Sequence, residues 1–128
     1  MKRIALLTVF LFSMVWASAQ TMSVKSFKLL PEDKTAVSQE GQRLDWNGNA
    51  AALIKIVTKE KGFVFLGGTT GIVDSQQRDG EIWVWVPQGS QQISIRHQSF
   101  EELKDYGYPV EIESGRCYEL VLDTQDAQ

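Results

Sequence analysis

An all-β fold, a small antiparallel β-sandwich of about seven strands, is what this sequence predicts. Two observations support it. Short runs of β-branched and aromatic residues recur along the chain, and clusters of Gly, Asn, Asp, Ser and Pro separate them. This spacing is typical of sandwiches. Helical patterning is scarce, since only residues 99–104 could form a single helical turn.

The first three predicted strands cover residues 23–30, 52–58 and 63–66. The second of them is apolar at both odd and even positions, which is typical of a strand with both faces covered. Residues 59–62 end in a glycine and are predicted to turn this strand back, as a hairpin, into the third.

Four more strands are predicted, at residues 81–86, 91–96, 110–113 and 117–123. The Pro-Gln-Gly sequence at residues 87–89 is typical of a tight turn between the first two of these. Alternation of isoleucine with polar residues predicts that 91–96 has one solvated face. The last strand is expected to direct three side chains to the core: Tyr118, Leu120 and Leu122.

Two predicted loops, at residues 31–51 and 67–80, are long for a compact domain. Either they contain short edge strands that the pattern does not reveal, or they carry the binding function. The sequence leaves both explanations open.

The N-terminal segment has the layout of a secretory signal peptide. Lys2 and Arg3 are followed by an apolar run at residues 4–16 and by Ala-Ser-Ala at 17–19, a small-x-small cleavage site before Gln20. The apolar run is shorter than the roughly 20 residues that a membrane span needs. The residue directly after the cleavage site is Gln20 and not a cysteine, so a lipid anchor is not expected there. The protein is therefore predicted to be exported, to the periplasm, the cell surface or the extracellular space.

The expected organisation is a signal peptide at residues 1–19, one domain at 20–123 and a polar tail at 124–128. Cleavage leaves 109 of the 128 residues, enough for one domain with its own core. Removing Lys2 and Arg3 from 13 basic residues leaves 11 against 16 acidic ones, a net charge of −5. Such a chain is a poor candidate for nucleic-acid or anionic-lipid binding, which requires clustered basic residues. No transmembrane segment is expected after cleavage.

Cys117 is the single cysteine, so an intramolecular disulfide is excluded. It opens an apolar strand-like run, and free cysteine is among the most buried residue types. A buried, inert thiol is therefore favoured over pairing with another chain.

Residues 54–122 resemble a PEGA-type domain, a small immunoglobulin-like β-sandwich of bacterial envelope proteins. The resemblance lies in the order of a strand at 54–58, Gly62-Phe63-Val64-Phe65-Leu66-Gly67, a Pro-Gln-Gly turn with its following strand at 86–95, Tyr106-Gly107-Tyr108 and a closing hairpin at 110–122. Glu60-Lys61-Gly62 stands where the family has Pro-x-Gly-Ala, and no Asp-Gly follows Leu66.

The mature chain from Met22 onward also resembles an N-terminal domain of exported Bacteroidetes proteins, in which PEGA or formylglycine-generating-enzyme-like modules often follow. The two resemblances together imply an envelope-associated, non-catalytic module. They carry no catalytic residue to this chain.

No catalytic site, metal site or cofactor is predicted. His97 is the single histidine, whereas triads and most zinc sites need it beside further partners. Glu101, Glu102 and Asp105 form an acidic cluster within one short segment, which favours a solvated face over a clefted acid pair. The glycine-rich stretch at 67–71 lacks the Lys-Ser/Thr of a phosphate-binding loop.

The aromatic residues are the candidate ligand-binding set. Trp83 and Trp85 are two residues apart on one predicted strand, so both side chains leave the same face. An exposed face would form a binding platform, which Trp46, Tyr106 and Tyr108 could extend. The alternative is that a second sheet or the loop at 31–51 covers both indole rings, and the high average burial of tryptophan favours it.

Three functions follow as expectations. The leading one is a non-catalytic binding or structural module of the bacterial envelope that contacts a partner protein through a sheet face or an edge strand. The alternative is a carbohydrate-binding module that uses the tryptophan face. An enzyme would need the acidic cluster to line a cleft.

Overall fold

The computed structural model describes residues 20–125; the predicted signal peptide at 1–19 lies outside the described residues, as do residues 126–128. Within the described part there are eight β-strands and one short 3₁₀ turn, Thr35–Val37. The strands are β1 (Thr21–Leu30), β2 (Ala52–Val57), β3 (Val64–Leu66), β4 (Asp74–Arg78), β5 (Glu81–Val86), β6 (Gln92–His97), β7 (Phe100–Gly107) and β8 (Cys117–Gln125). No helix in residues 20–125 is long and apolar enough to cross a membrane.

The strands form two sheets, which confirms the predicted all-β sandwich. The larger sheet has the order β1-β8-β2-β5-β4, and the smaller one has the order β3-β6-β7. Every pairing is antiparallel except that of β2 with β8, which is parallel.

Strand β2 lies at the centre of the five-stranded sheet, and both of its faces are covered, as its two-sided apolar pattern predicts. Ile54 and Ile56 belong to the core between the sheets, while Leu53 is buried on the opposite side. The inter-sheet core also takes Tyr118, Leu120 and Leu122 of β8, in agreement with the predicted inward face. Burial of each such side chain contributes roughly 1.5–3 kcal/mol.

The hairpin predicted at residues 59–62 is wrong. β2 pairs with β5 and β8, whereas β3 pairs with β6 in the other sheet. Since both edges of β2 are occupied, no edge is left for β3. Residues 58–63 therefore carry the chain from one sheet to the other.

Residues 99–104, the one segment with the potential for a helical turn, do not form one, because residues 100–104 begin strand β7. Its inward side chains are Phe100, Leu103 and Tyr106, three residues apart. That spacing resembles a helical period, but here it arises from two register irregularities in the pairing of β6 with β7.

Residues 110–113 are not a strand, so the predicted closing hairpin does not form. The hydroxyl of Tyr118 donates a 2.9 Å hydrogen bond to the carbonyl of Glu111 and accepts a 2.8 Å bond from the N–H of Glu113. Ile112 is buried as a single residue. Strand β8 pairs with β1 and β2 instead.

The two long loops differ. Residues 67–80 contain β4, an edge strand that the pattern did not reveal because its residues are polar. Residues 31–51 contain the 3₁₀ turn and an isolated bridge between Leu44 and Ala50. At the C-terminus, β8 continues through Gln125, two residues into the segment predicted as a polar tail.

Candidate functional site

The segment at residues 31–51, called the covering loop below, lies over the outer face of the five-stranded sheet. Trp85 is fully buried beneath it, together with Leu53 and Cys117. The indole N–H of Trp85 donates a 2.8 Å hydrogen bond to the carbonyl of Gly41, and the Arg43 guanidinium lies 4.2 Å from the centre of its ring. This cover is the alternative that the burial of tryptophan favoured, and it removes Trp85 from any exposed platform.

Trp83 is half-buried, with charged side chains around it. The guanidinium of Arg78 lies 3.9 Å from the centre of its ring and Lys55 Nζ 5.1 Å, distances typical of cation–π contacts. Its indole N–H donates a 2.6 Å hydrogen bond to Glu81 Oε1. The ring of Trp83 is therefore engaged in contacts within the protein and is only partly accessible to solvent.

A partly buried ion pair between Lys55 and Asp33 fixes the start of the covering loop. Lys55 Nζ donates to Asp33 Oδ2 at 2.6 Å, and Thr35 donates its backbone N–H to Asp33 Oδ1 at 2.9 Å. Burial alone would raise the pKa of Asp33, but these hydrogen bonds outweigh it and lower the pKa to about 2. Asp33 is therefore a charged anchor between the loop and β2.

Cys117 is buried, as predicted, and contributes to the same anchoring. Its Sγ accepts a 3.3 Å hydrogen bond from the N–H of Ala36 in the covering loop. Burial raises the pKa of the Cys117 thiol. An inaccessible, protonated thiol is a poor nucleophile.

Tyr106 and Tyr108 do not extend a platform with Trp83 and Trp85, because they pack on the other side of the large sheet. Both lie against Phe27, with ring centres 6.2 and 5.2 Å from it, at the border of the inter-sheet core. Burial raises the pKa of Tyr108 well above its ordinary value. The predicted aromatic set is thus divided among separate places.

Trp46 differs from the other four aromatic candidates because it is 69% exposed. Asp45 Oδ1 accepts the backbone N–H groups of Asn47 and Asn49, both at 2.9 Å, and Asp45 N–H donates to the Asn49 carbonyl at 2.8 Å. Gly48 has φ of +81°, which a residue with a side chain rarely adopts. The tight turn therefore fixes the backbone on either side of Trp46 and leaves its indole ring exposed.

A polar depression is connected to the far end of the Trp46 indole through the backbone of Gly71 and Gly67. Its volume is about 260 Å³ and its lining residues are Gly67, Thr69, Thr70, Gly89, Gln91 and Gln92. Thr70 Oγ1 donates to the Gly67 carbonyl at 3.0 Å and lies 3.2 Å from Ser90 Oγ. The sequence could not indicate this depression, because two loops far apart in the chain form it.

The outer face of the three-stranded sheet carries a different surface. Val64 and Leu66, two residues apart on β3, are 55% and 40% exposed, while Phe65 between them packs on the core. Shallow depressions adjoin both side chains, and charged residues border them: Arg96, Glu102, Lys104 and Asp105. Residues 63–66 are apolar without a break, so the sequence pattern does not show which of these side chains face outward.

The remaining chemical candidates are engaged in structural contacts. His97 lies between Phe63 and Phe100, with its Nε2 2.7 Å from the Lys61 carbonyl oxygen. In residues 20–125 no group of three His, Cys, Asp or Glu side chains could hold a metal ion.

The acidic cluster lies on the open surface of β7. Arg96 Nε donates a 3.1 Å hydrogen bond to Glu102, and Ser94 Oγ donates one of 3.2 Å to Asp105. Glu101 is exposed. The glycine-rich stretch at 67–71 is a tight turn in which an added Cβ on Gly67 would lie 2.2 Å from the Gly71 carbonyl oxygen.

No protein-family model matches the chain, and comparisons with curated proteins and with solved structures find no match either. The resemblance to PEGA-type domains therefore stays a prediction.

Proposed function

We propose that this chain is an exported, non-catalytic binding module of the bacterial cell envelope that contacts a partner protein. The observation that carries the proposal is the pair of exposed aliphatic side chains on β3, Val64 and Leu66. The signal-peptide layout and the resemblance to PEGA-type domains of envelope proteins support the destination.

The patch around Val64 and Leu66 has the anatomy of a protein interface. An apolar centre lies in a concave surface, and charges of both signs surround it, among them Arg96 and Glu102. Protein interfaces combine a dry apolar centre with a polar rim in this way. β3 is also an edge strand of the small sheet, so a partner that reaches this patch can contact its main chain as well.

Catalysis is left out of the proposal because of how the acidic cluster is arranged. Glu102 is paired with Arg96, and Asp105 accepts from Ser94. Both groups lie on the outer surface of a sheet, whereas a glycosidic acid pair works across a cleft at a set separation.

The test is in-cell crosslinking of the affinity-tagged chain, followed by identification of the adducts. A Val64→Ser/Leu66→Ser double variant is compared with the unsubstituted chain. Val110→Ser is the matched control, since Val110 is 40% exposed and lies outside β3. We expect one defined protein adduct that the double variant loses and the control keeps. An adduct unchanged in the double variant, or no protein adduct at all, would contradict the proposal.

Export is tested separately by cell fractionation and intact-mass measurement. The expected species lacks residues 1–19 and begins at Gln20, in an envelope or extracellular fraction. A chain that keeps its N-terminal 19 residues and stays in the cytoplasm would contradict the destination but not the binding surface.

The carbohydrate alternative loses its original basis, because it required Trp83 and Trp85 to form an exposed face. Trp85 is fully buried, and Trp83 is enclosed by Arg78, Lys55 and Glu81. The exposed ring of Trp46 is the one aromatic platform left among the predicted site residues.

A further inference from the structure

We propose a second binding site, for a neutral oligosaccharide, at the end of the sandwich where the Trp46 turn meets the polar depression. One sugar ring stacks on Trp46, and hydroxyls of the same or the next unit bond to groups of the depression. The site adjoins the protein-binding patch at Gly67 and Gly71, but different side chains carry the two proposals, so each proposal can fail without the other.

The indole ring and the depression are joined through two glycines. An added Cβ on Gly71 would lie 3.1 Å from Cη2 of Trp46, so the far end of the indole is close to that backbone. Gly71 in turn lies against Gly67, which lines the depression. The backbone of residues 67–71 therefore connects the end of the indole to the depression.

The exposed indole ring of Trp46 can stack against one face of a pyranose ring. A pyranose has an apolar C–H face and a rim of hydroxyls, and a flat aromatic ring is complementary to the former. The turn from Asp45 to Asn49 is fixed by its own hydrogen bonds, so little ordering entropy is lost when a ligand binds.

The depression offers hydrogen-bonding groups to the hydroxyls of a sugar. The amides of Gln91 and Gln92 and the hydroxyl of Thr69 can each both donate and accept hydrogen bonds. In residues 20–125, Thr69 and Gln91 make no side-chain hydrogen bond, so both are available to a ligand.

The lack of charge in the depression determines the class of sugar. None of its six lining residues is ionisable. A phosphate, sulfate or carboxylate would find no cation among these residues to offset its desolvation. A neutral glycan has no such cost.

The experiment uses the mature chain, residues 20–128, on an array of neutral and anionic microbial and plant glycans. Each hit is then measured by saturation-transfer NMR and titration. We expect binding to one or more neutral oligosaccharides, weakened at least tenfold by Trp46→Ala and several-fold by Gln91→Ala. Trp46→Phe should keep most of the affinity, because phenylalanine retains a flat face.

Leu44→Ala is the matched control, since Leu44 is 59% exposed on the same loop and should change the affinity less than twofold. The blue-shifted emission of the buried Trp85 verifies that each variant is folded. Absence of any neutral hit, binding to anionic glycans alone, or equal affinity of Trp46→Ala and Leu44→Ala would each overturn the proposal.

Discussion

The indole N–H of Trp85 bonds to the carbonyl oxygen of Gly41, 44 residues away in the chain, at 2.8 Å. This contact joins strand β5 of the large sheet to the middle of the covering loop. Because Trp85 is buried in full, its N–H would be an unsatisfied donor without Gly41.

Replacement of Trp85 by phenylalanine should therefore destabilise the domain. The variant loses a buried hydrogen bond and leaves a gap beneath the loop, which together should lower the free energy of unfolding by about 2 kcal/mol. Urea denaturation followed by circular dichroism measures the change. Trp46→Phe is the control and should stay within about 0.5 kcal/mol, as for exposed positions. Equal effects of the two would show that the loop does not cover Trp85.

Gly41 itself should tolerate no side chain. A Cβ there would lie 2.2 Å from the carbonyl oxygen of Thr35, which is backbone and cannot move aside cheaply. We expect Gly41→Ala to cost more than about 2 kcal/mol by overpacking. Gly107→Ala, whose Cβ would meet nothing within 4 Å, should be neutral or slightly stabilising. A Gly41→Ala variant with an unchanged free energy of unfolding would contradict the close approach of Gly41 to Thr35 within the covering loop.

Because of Asp33, the free energy of unfolding of the domain should depend on pH in acidic solution. Its pKa is about 2 in the folded protein against an ordinary value of 3.8. A carboxyl whose folded pKa is lowered contributes stability above its unfolded pKa, and that contribution is lost as pH falls through the folded value. After allowance for its partial exposure, Asp33→Asn should cost about 1 kcal/mol at neutral pH. The difference between the two proteins should shrink between about pH 4 and pH 2. A difference that is constant across this range would exclude the ion pair with Lys55 as its source.

The thiol of Cys117 should be unreactive in the native state. It is buried, its pKa is raised, and it accepts a hydrogen bond from Ala36. Intact-mass measurement after N-ethylmaleimide at pH 8 should find no adduct, and one adduct after guanidinium unfolding. Ser75→Cys in a Cys117→Ser background is the positive control, since Ser75 is exposed on β4. Native labelling of Cys117 would indicate that the covering loop opens.

Acrylamide quenching should separate the three tryptophans of the mature chain. Trp46 is exposed, whereas Trp85 is buried and Trp83 is half-buried. We expect Trp46→Phe to remove most of the quenchable, red-shifted emission and to leave a blue-shifted, shielded remainder. Quenching unchanged by this substitution would mean that the outer face of the large sheet is open to solvent.

Strands and their inward faces were predicted most accurately where a local sequence pattern follows burial directly. In β8 the alternation of Tyr118, Leu120 and Leu122 has a period of two, which a strand with one inward face requires. Prediction failed where irregular pairing changed that period, because two register irregularities in the pairing of β6 with β7 set Phe100, Leu103 and Tyr106 three residues apart. It also failed at β4, whose polar side chains bury nothing that a pattern could show.

The candidate sites were predictable in part. Residue spacing alone placed Trp83 and Trp85 on one face, and they are there, with ring centres 6.0 Å apart. Spacing could not say what covers that face, since the cover depends on Gly41, Asp33 and Ala36, all distant in sequence. The polar depression beside Trp46 is likewise formed by two loops that meet only in the folded chain.

The sequence by itself determined the all-β sandwich, the coverage of β2 on both faces and the inward face of β8. These follow from apolar periodicity, which acts over a few neighbouring residues. The tertiary structure alone decided that β2 and β8 are parallel neighbours, that Trp85 is covered and that Trp46 is exposed. Those outcomes depend on which of several competing surfaces meet, and contacts between residues tens of positions apart fix them through packing and hydrogen bonding.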